Sequence, residues 1–274
     1  MNAYMLTDSR TMLRRSLRRL RRYPSLTFFI AVIPVVVLLL FVYVLRGTLG
    51  AGLGAPGVPT GPDAASIGRE TYIAYIIPGI LLMTAAGTGQ GTAITVAMDM
   101  TAGIIARFRT MAIARGAVLA GHVLGSVIQT AMATVIVVIV ALLVGFRPTT
   151  EPQSWVAAIG LLALTSFAVS WLSVAMGMVT ESVETASNLP MILILLVFLS
   201  SAFVPTASLP EPLRWFAEHQ PFTPITETLR GLLFGTPIGD NGVVALAWCM
   251  LISVGGYLWA RRLYERVPVR MAQV

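Results

Sequence analysis

The amino-acid sequence predicts an all-α integral membrane protein. It has six transmembrane helices, an N-terminal amphipathic interfacial helix, and re-entrant external helices between spans five and six. Three observations carry this reading. Of 274 residues, 56% are hydrophobic and only 11% charged, against about 25% charged in an ordinary soluble domain, and mean hydropathy is +0.81. So few charges cannot coat a surface that faces water. Six apolar stretches also approach the roughly 20 residues that a helix needs to cross a bilayer. Finally, the arginines fall unevenly among the segments that join those stretches.

The chain reads as one membrane domain over 1–274. Residues 1–25 form a cytoplasmic amphipathic segment in which Leu6, Leu13, Leu17 and Leu20 share a stripe and arginines fill most of the remaining circumference. That pattern is either a topology signal or a helix lying in the interface, its Leu face in the acyl boundary and its guanidinium groups near lipid phosphates. The arm abuts a membrane span and lacks interleaved aromatics, so nucleic acid is not its partner. The spans follow at 26–45, 72–97, 117–144, 155–179, 188–203 and 243–260. The first is too long for a signal-peptide core and no small-residue cleavage site follows it, so it is retained. The fifth is short and meets Pro205, while Pro190 suits a first helical turn.

Fourteen arginines lie before span one, between spans two and three, and in the tail 261–274; five lie in the segments on the other side. The positive-inside rule therefore places both termini in the cytoplasm of a multi-pass plasma-membrane protein. Residues 46–70, rich in Gly, Pro and Ala, read as a flexible external loop. The second external region, 204–242, holds six prolines around helix-like pieces at 211–219 and 223–234. Ile225, Leu229, Leu232 and Leu233 share a face of the latter, and Glu227 can pair with Arg230 at i, i+3. Such a segment is expected to dip back toward the membrane where protein covers its backbone. Its marker residues are Phe203, Pro205, Pro210, Pro221, Phe222, Pro224, Arg230 and Gly231.

Several kinds of chemistry are excluded by what is missing. All nineteen basic residues are Arg, so neither a P-loop nor a Lys Schiff base can form. Cys249 is the single cysteine, and with His122 and His219 it makes no credible zinc site. The spans contain no Asp, Glu or Arg between their expected ends, and His122 reads as a packing residue. Without a mid-membrane carboxylate or His pair, a proton- or sodium-coupled carrier is disfavoured. Any uphill movement then takes its energy from a partner.

Gly87 with Gly91 and Gly121 with Gly125 are expected at close helix contacts. Thr84, Thr88 and Thr95 share a face of span two, Ser166, Ser170 and Ser173 share one of span four, and Gln90 and Gln129 add amides at depth. Interhelical hydrogen bonding is the first account of these residues and a substrate path the second. Between spans two and three, 98–115 carries Ile104, Ile105, Phe108, Met111 and Ile113 among Arg107, Arg109 and Arg115. It is either a helix resting on lipid or one that docks into a groove on a cytoplasmic partner.

Four segments carry a family likeness: YIAYIIPGI at 72–80, GIIARFRTMAIARGAVLAG at 103–121, SSAFVPTASLP at 200–210 and QPFTPITETLRGLLFG at 220–235. In their order and spacing the chain resembles the type-2 ABC exporter permeases, in the branch of daunorubicin/doxorubicin-resistance permeases of actinobacteria. Relatives commonly have Pro where Ala112 stands here. The resemblance implies a non-enzymatic transmembrane subunit that moves a hydrophobic or amphipathic drug, antibiotic or lipid outward. It implies two cytoplasmic ATP-binding subunits that bind the ATP and Mg, with no cofactor in this chain, and a second permease, identical or related. It makes 98–115 the ATPase-coupling helix and 204–240 the re-entrant helices. A polysaccharide or glycolipid exporter, an ATPase-independent channel or carrier, and a non-transporting scaffold or immunity protein are the alternative functions.

Overall fold

The computed structural model describes Thr11, Arg14, Arg15, Arg18 and Arg22, then residues 24–45, 64–104, 115–147, 150–180 and 182–266. Residues 46–63 of the flexible loop expected at 46–70, and the coupling residues 105–114, lie outside these. Among the described residues every regular element is a helix. Helix α1 (Pro24–Leu40) continues into a π-helical turn at Phe41–Leu45, followed by α2 (Ala64–Thr101), α3 (Arg115–Val144) and α4 (Pro152–Val179). Two short helices, α5 (Val183–Asn188) and α6 (Met191–Phe198), precede a 3-10 turn at Thr206–Ser208. Helices α7 (Glu211–His219), α8 (Phe222–Phe234) and α9 (Asn241–Arg266) complete the chain.

Four helices are long and apolar enough to cross a membrane: Tyr72–Thr101, Ala117–Val144, Pro152–Val179 and Asn241–Arg266. The stretches Ile30–Val44 and Val183–Phe198 are apolar but shorter. Local chemistry accounts for the boundaries. Pro152 opens α4, where its missing N–H leaves no gap in the helical ladder. Pro190 sits at the N-cap of α6 and separates it from α5, while Ser182 caps α5 by accepting from Thr185 N–H at 3.2 Å. Gly235, at φ +73, terminates α8. Two expectations are corrected here. Helix α2 begins at Ala64, inside the stretch read as loop, and α9 continues to Arg266, inside the stretch read as tail.

The packing has a centre and a rim. The most apolar window of α2 is 83% buried, whereas those of α3 and α9 are each 28% buried. Helix α4 runs along both α2 and α9, and α1 leans on α2 and α3. Ile73, Ile76, Ile77 and Ile80 of α2 are fully enclosed, but Val135, Ile139 and Leu143 of α3 and Val243, Leu251 and Val254 of α9 face outward. Those outward apolar faces match a hydrocarbon surround.

Helices in lipid associate through close packing, so small residues mark the tightest contacts. A Cβ built on Gly177 would stand 2.5 Å from the Ala93 carbonyl oxygen, and one on Gly256 would stand 2.8 Å from the Leu172 nitrogen. The glycines expected in this role do not all hold it: a Cβ on Gly87 meets nothing within 4 Å. A GxxxG spacing specifies a shared face, and here that face borders a cavity. Gly177→Ala should therefore destabilise the detergent-solubilised protein by about 1–3 kcal/mol, because backbone must move. Gly160→Ala lies in the same helix, where a Cβ meets nothing within 4 Å. It should be neutral or stabilising by up to about 1 kcal/mol. Equal thermal midpoints for the two variants would contradict this packing.

Candidate functional site

Helices α1, α2 and α3, with Ile194 of α6, enclose a cavity of about 370 Å³. Its walls are largely apolar, from Ile30, Ile33 and Pro34 on one side to Met83 and Ile94 on another. Polar groups enter from facing helices: Gln90 and Thr95 from α2, Ser126 and Gln129 from α3. Gln90 Nε2 donates to the Ser187 carbonyl at 2.6 Å, which ties the cavity wall to α5. Thr95 donates back to the Gly91 carbonyl at 2.8 Å, as a hydroxyl within an apolar helix can. An apolar cavity with a few convergent polar groups is the ordinary form of a small-molecule site.

One end of this cavity is built from charge. Asp99, 4% exposed, accepts from Arg15 Nη2 at 3.4 and 3.2 Å through its two carboxylate oxygens, and His122 Nε2 lies 3.3 Å from Oδ2. Three segments far apart in sequence thus meet at one carboxylate. In the sequence reading Asp99 belongs to the connecting segment 98–115, whose first residues prove to be helical. Met98–Thr101 form the last turn of α2, and the chain turns out of it at Gly103, where φ is +67. Asp99 lies just past the expected end of span two at 97, so the expected spans still hold no acid, while His122, read as a packing residue, has this carboxylate as a neighbour. The carboxylate stands in the final turn of α2, away from mid-span, and so is not the mid-membrane group on which an ion-coupled carrier relies.

Toward the other end of α2, Tyr75 is held by a second arginine. Arg230 of α8 donates through Nη2 to the carbonyls of Tyr75 at 3.2 Å and Ser201 at 3.0 Å, and through Nη1 to Glu227 at 2.6 Å. Its guanidinium also lies 4.2 Å from the centre of the Tyr75 ring, and the Tyr75 hydroxyl donates to the Ser201 carbonyl at 2.9 Å. Phe203 stacks on Phe198 at 4.7 Å and touches Phe41 at 5.2 Å. On the exposed face of α7, Arg214 donates to Glu218 at 2.8 Å, which holds that carboxyl below its ordinary range and raises the guanidinium.

A profile described as ABC-2 type transporter matches residues 7–234. The chain belongs to the ABC-2 type transporter family. It is 28% identical over 257 residues to the daunorubicin resistance ABC transporter permease protein DrrB1 of Streptomyces coeruleorubidus, covering 93% of this chain and 85% of that one. It is also 24% identical over 181 residues, 66% of each chain, to the probable doxorubicin resistance ABC transporter permease protein DrrC of Mycobacterium tuberculosis. This ABC-2 chain is thus a multi-pass membrane protein of the permease kind.

The expected site residues of this ABC-2 chain separate into groups. Gln90, Thr95 and Gln129 line the cavity. Thr84, Thr88, Ser166, Ser170 and Ser173 are buried between helices. Of these, Ser170 donates to Ser126 at 2.8 Å, and Ser126 receives Thr92 at 2.7 Å, making a hydroxyl chain across α2, α3 and α4. Thr92 and Ser126 were not anticipated, although Thr92 continues the Thr84, Thr88 spacing by one turn. Phe203, Phe222 and Gly231 are buried, Pro221, Pro224 and Arg230 fix the start and anchorage of α8, and Pro205 and Pro210 flank the 3-10 turn. Of the coupling residues, Ile104 is half-buried after Gly103 and Arg115 begins α3. Ile105, Arg107, Phe108, Arg109, Met111 and Ile113 lie outside the described residues. No group of three or more His, Cys, Asp or Glu able to hold a metal occurs among the described residues.

Arg230 supplies a direct test of the 200–235 anchorage. Its side chain is 12% exposed, so Arg230→Met leaves Tyr75 and Ser201 carbonyls without their charged donor. The expected cost is about 2–3 kcal/mol, with faster proteolysis within 204–242. A thermal midpoint and cleavage rate equal to wild type would contradict the clamp.

Proposed function

We propose that this chain is the transmembrane permease subunit of an ATP-driven exporter that moves a hydrophobic or amphipathic drug, antibiotic or lipid out of the cell. The observation that carries the proposal is the family match over 7–234, joined to a likeness over 93% of the chain to a daunorubicin resistance permease. The apolar cavity with its amides and hydroxyls is of the kind that holds such a molecule. ATP and Mg belong to two separate cytoplasmic ATP-binding subunits, and a second permease, identical or related, completes the membrane part. The chain acts as one permease domain with six spans and both termini cytoplasmic, a reading supported by the arginine asymmetry. Helices α7 and α8 form the external re-entrant region.

Coupling runs through 98–115, with 98–101 as the helical stem and 104–115 as the part that meets the ATPase. Ile104, Ile105, Phe108, Met111 and Ala112 supply the apolar face, with Ile113 beside it, and Arg107, Arg109 and Arg115 the flanking charge. If Phe108 is an anchor in a groove of the ATP-binding subunit, Phe108→Ala should weaken the complex by about 2 kcal/mol or more. That is roughly thirtyfold in affinity. The measurement is co-purification of the ATP-binding subunit with wild type and variant, with membrane insertion monitored in parallel. A cysteine at position 108, in a chain carrying Cys249→Ser, should resist an impermeant thiol reagent in intact cells. Unchanged co-purification, or labelling from outside, would remove 98–115 as the coupling element.

A further inference from the structure

Beside the cavity lies a second, more open hollow where the N-terminal helical residues cross the end of α2. Arg14, Arg15, Arg18 and Arg22 line it together with Asp99. Four arginines and one carboxylate thus line the same hollow, and that carboxylate is already engaged by Arg15 and approached by His122. Arg14, Arg18 and Arg22 recur every fourth residue and are helical, which sets them on one face. None of these three forms an ion pair among the described residues. Like charges spaced by four along a helix repel. An anion placed among the three relieves that repulsion.

We propose that this hollow binds the anionic head group of a phosphate-bearing amphiphile whose apolar body occupies the adjoining cavity. The two spaces adjoin, since Arg15, Met98 and Asp99 line both. The chemistry of each half is distinct. Guanidinium forks match phosphate oxygens through paired hydrogen bonds, and Ile30, Ile33, Pro34, Met83 and Ile94 give the cavity a hydrocarbon wall. Basic helices on a membrane surface attract anionic lipid diffusely. Here the basic row borders a cavity, so one molecule is held at its head and along its body, and binding is saturable. The same chemistry is offered by a bilayer phospholipid and by a phosphorylated amphiphile arriving from water. The inference does not depend on what the permease exports.

The test uses the full chain in nanodiscs of phosphatidylcholine, titrated calorimetrically with decyl phosphate, with inorganic phosphate, and with decyltrimethylammonium. Decyl phosphate should bind once per chain, and inorganic phosphate far more weakly because it leaves the cavity empty. The combined variant Arg14→Gln, Arg18→Gln and Arg22→Gln alters exposed side chains. It should weaken decyl phosphate by about tenfold or more, given the usual strength of charge-assisted hydrogen bonds. Gly87→Leu, whose Cβ has open space, should fill the cavity and weaken the same ligand without disturbing the arginines. Adding phosphatidylglycerol to the nanodisc identifies the source: loss of decyl phosphate binding means that bilayer lipid takes the site, and retention means that it takes an amphiphile from water. Either result upholds the anion site. Decyl phosphate binding unchanged in both variants, or preference for the alkylammonium, would overturn it. No ATPase or transport step enters the titration, so its failure leaves the permease reading intact.

Discussion

A polar group on a helix inside hydrocarbon must find its partner within the protein, because water is not there to supply one. That constraint falls hardest on α2, the most enclosed of the long helices. Its threonines answer it in part locally: Thr84 and Thr88 each donate to the carbonyl four residues earlier, at 2.8 Å. Its remaining polar groups reach other helices: Thr92 meets Ser126, Gln90 meets Ser187, and the Tyr75 hydroxyl meets the Ser201 carbonyl. The polar residues of α2 therefore specify which neighbours pack where. Interhelical hydrogen bonds of this kind contribute on average about 0.6 kcal/mol each. Their effect is more on register than on gross stability.

Toward its two ends α2 is held in the same manner by arginines from distant parts of the chain. Toward one end Arg230 brings α8 and the turn at 201 onto Tyr75; at the other Arg15 brings the N-terminal residues onto Asp99. A rigid helix held toward both ends can convey a displacement from one face of a membrane to the other. In the proposed exporter, the end at Asp99 leads directly into the segment that meets the ATP-binding subunits. The end at Tyr75 meets the external helices. The cavity lies beside α2 between these two ends, where a shift of the helix would alter its walls.

Much of the helical framework is legible in the sequence, for physical reasons that can be named. Apolar runs near bilayer length located α3 and α4 to within a few residues, and prolines at 152, 190 and 221 mark real helix starts. The apolar face of α8 was also legible, since Ile225, Leu229 and Leu233 are buried at the expected spacing. Asp99 reads in the sequence as the boundary of an apolar run, since a charge near the end of such a run marks no partner. Local hydropathy cannot show that Arg15 and His122 wait to pair with it. Arg230 was visible only as a neighbour of Glu227. Its contact with Tyr75 spans 155 residues and leaves no local pattern. The cavity follows from how three helices splay, which no single helix encodes. The coupling residues 105–114 rest on sequence and family likeness.

The central claim is that this chain provides a membrane path and takes its energy from a separate ATP-binding subunit. Its most direct measurement is ATP-driven movement of a fluorescent amphipathic dye in proteoliposomes containing the permease with and without that subunit. The account predicts dye movement only when both proteins and hydrolysable ATP are present, and no ATP hydrolysis by the permease alone. Dye movement by the permease without its partner, driven by an ion gradient or by none, would contradict it.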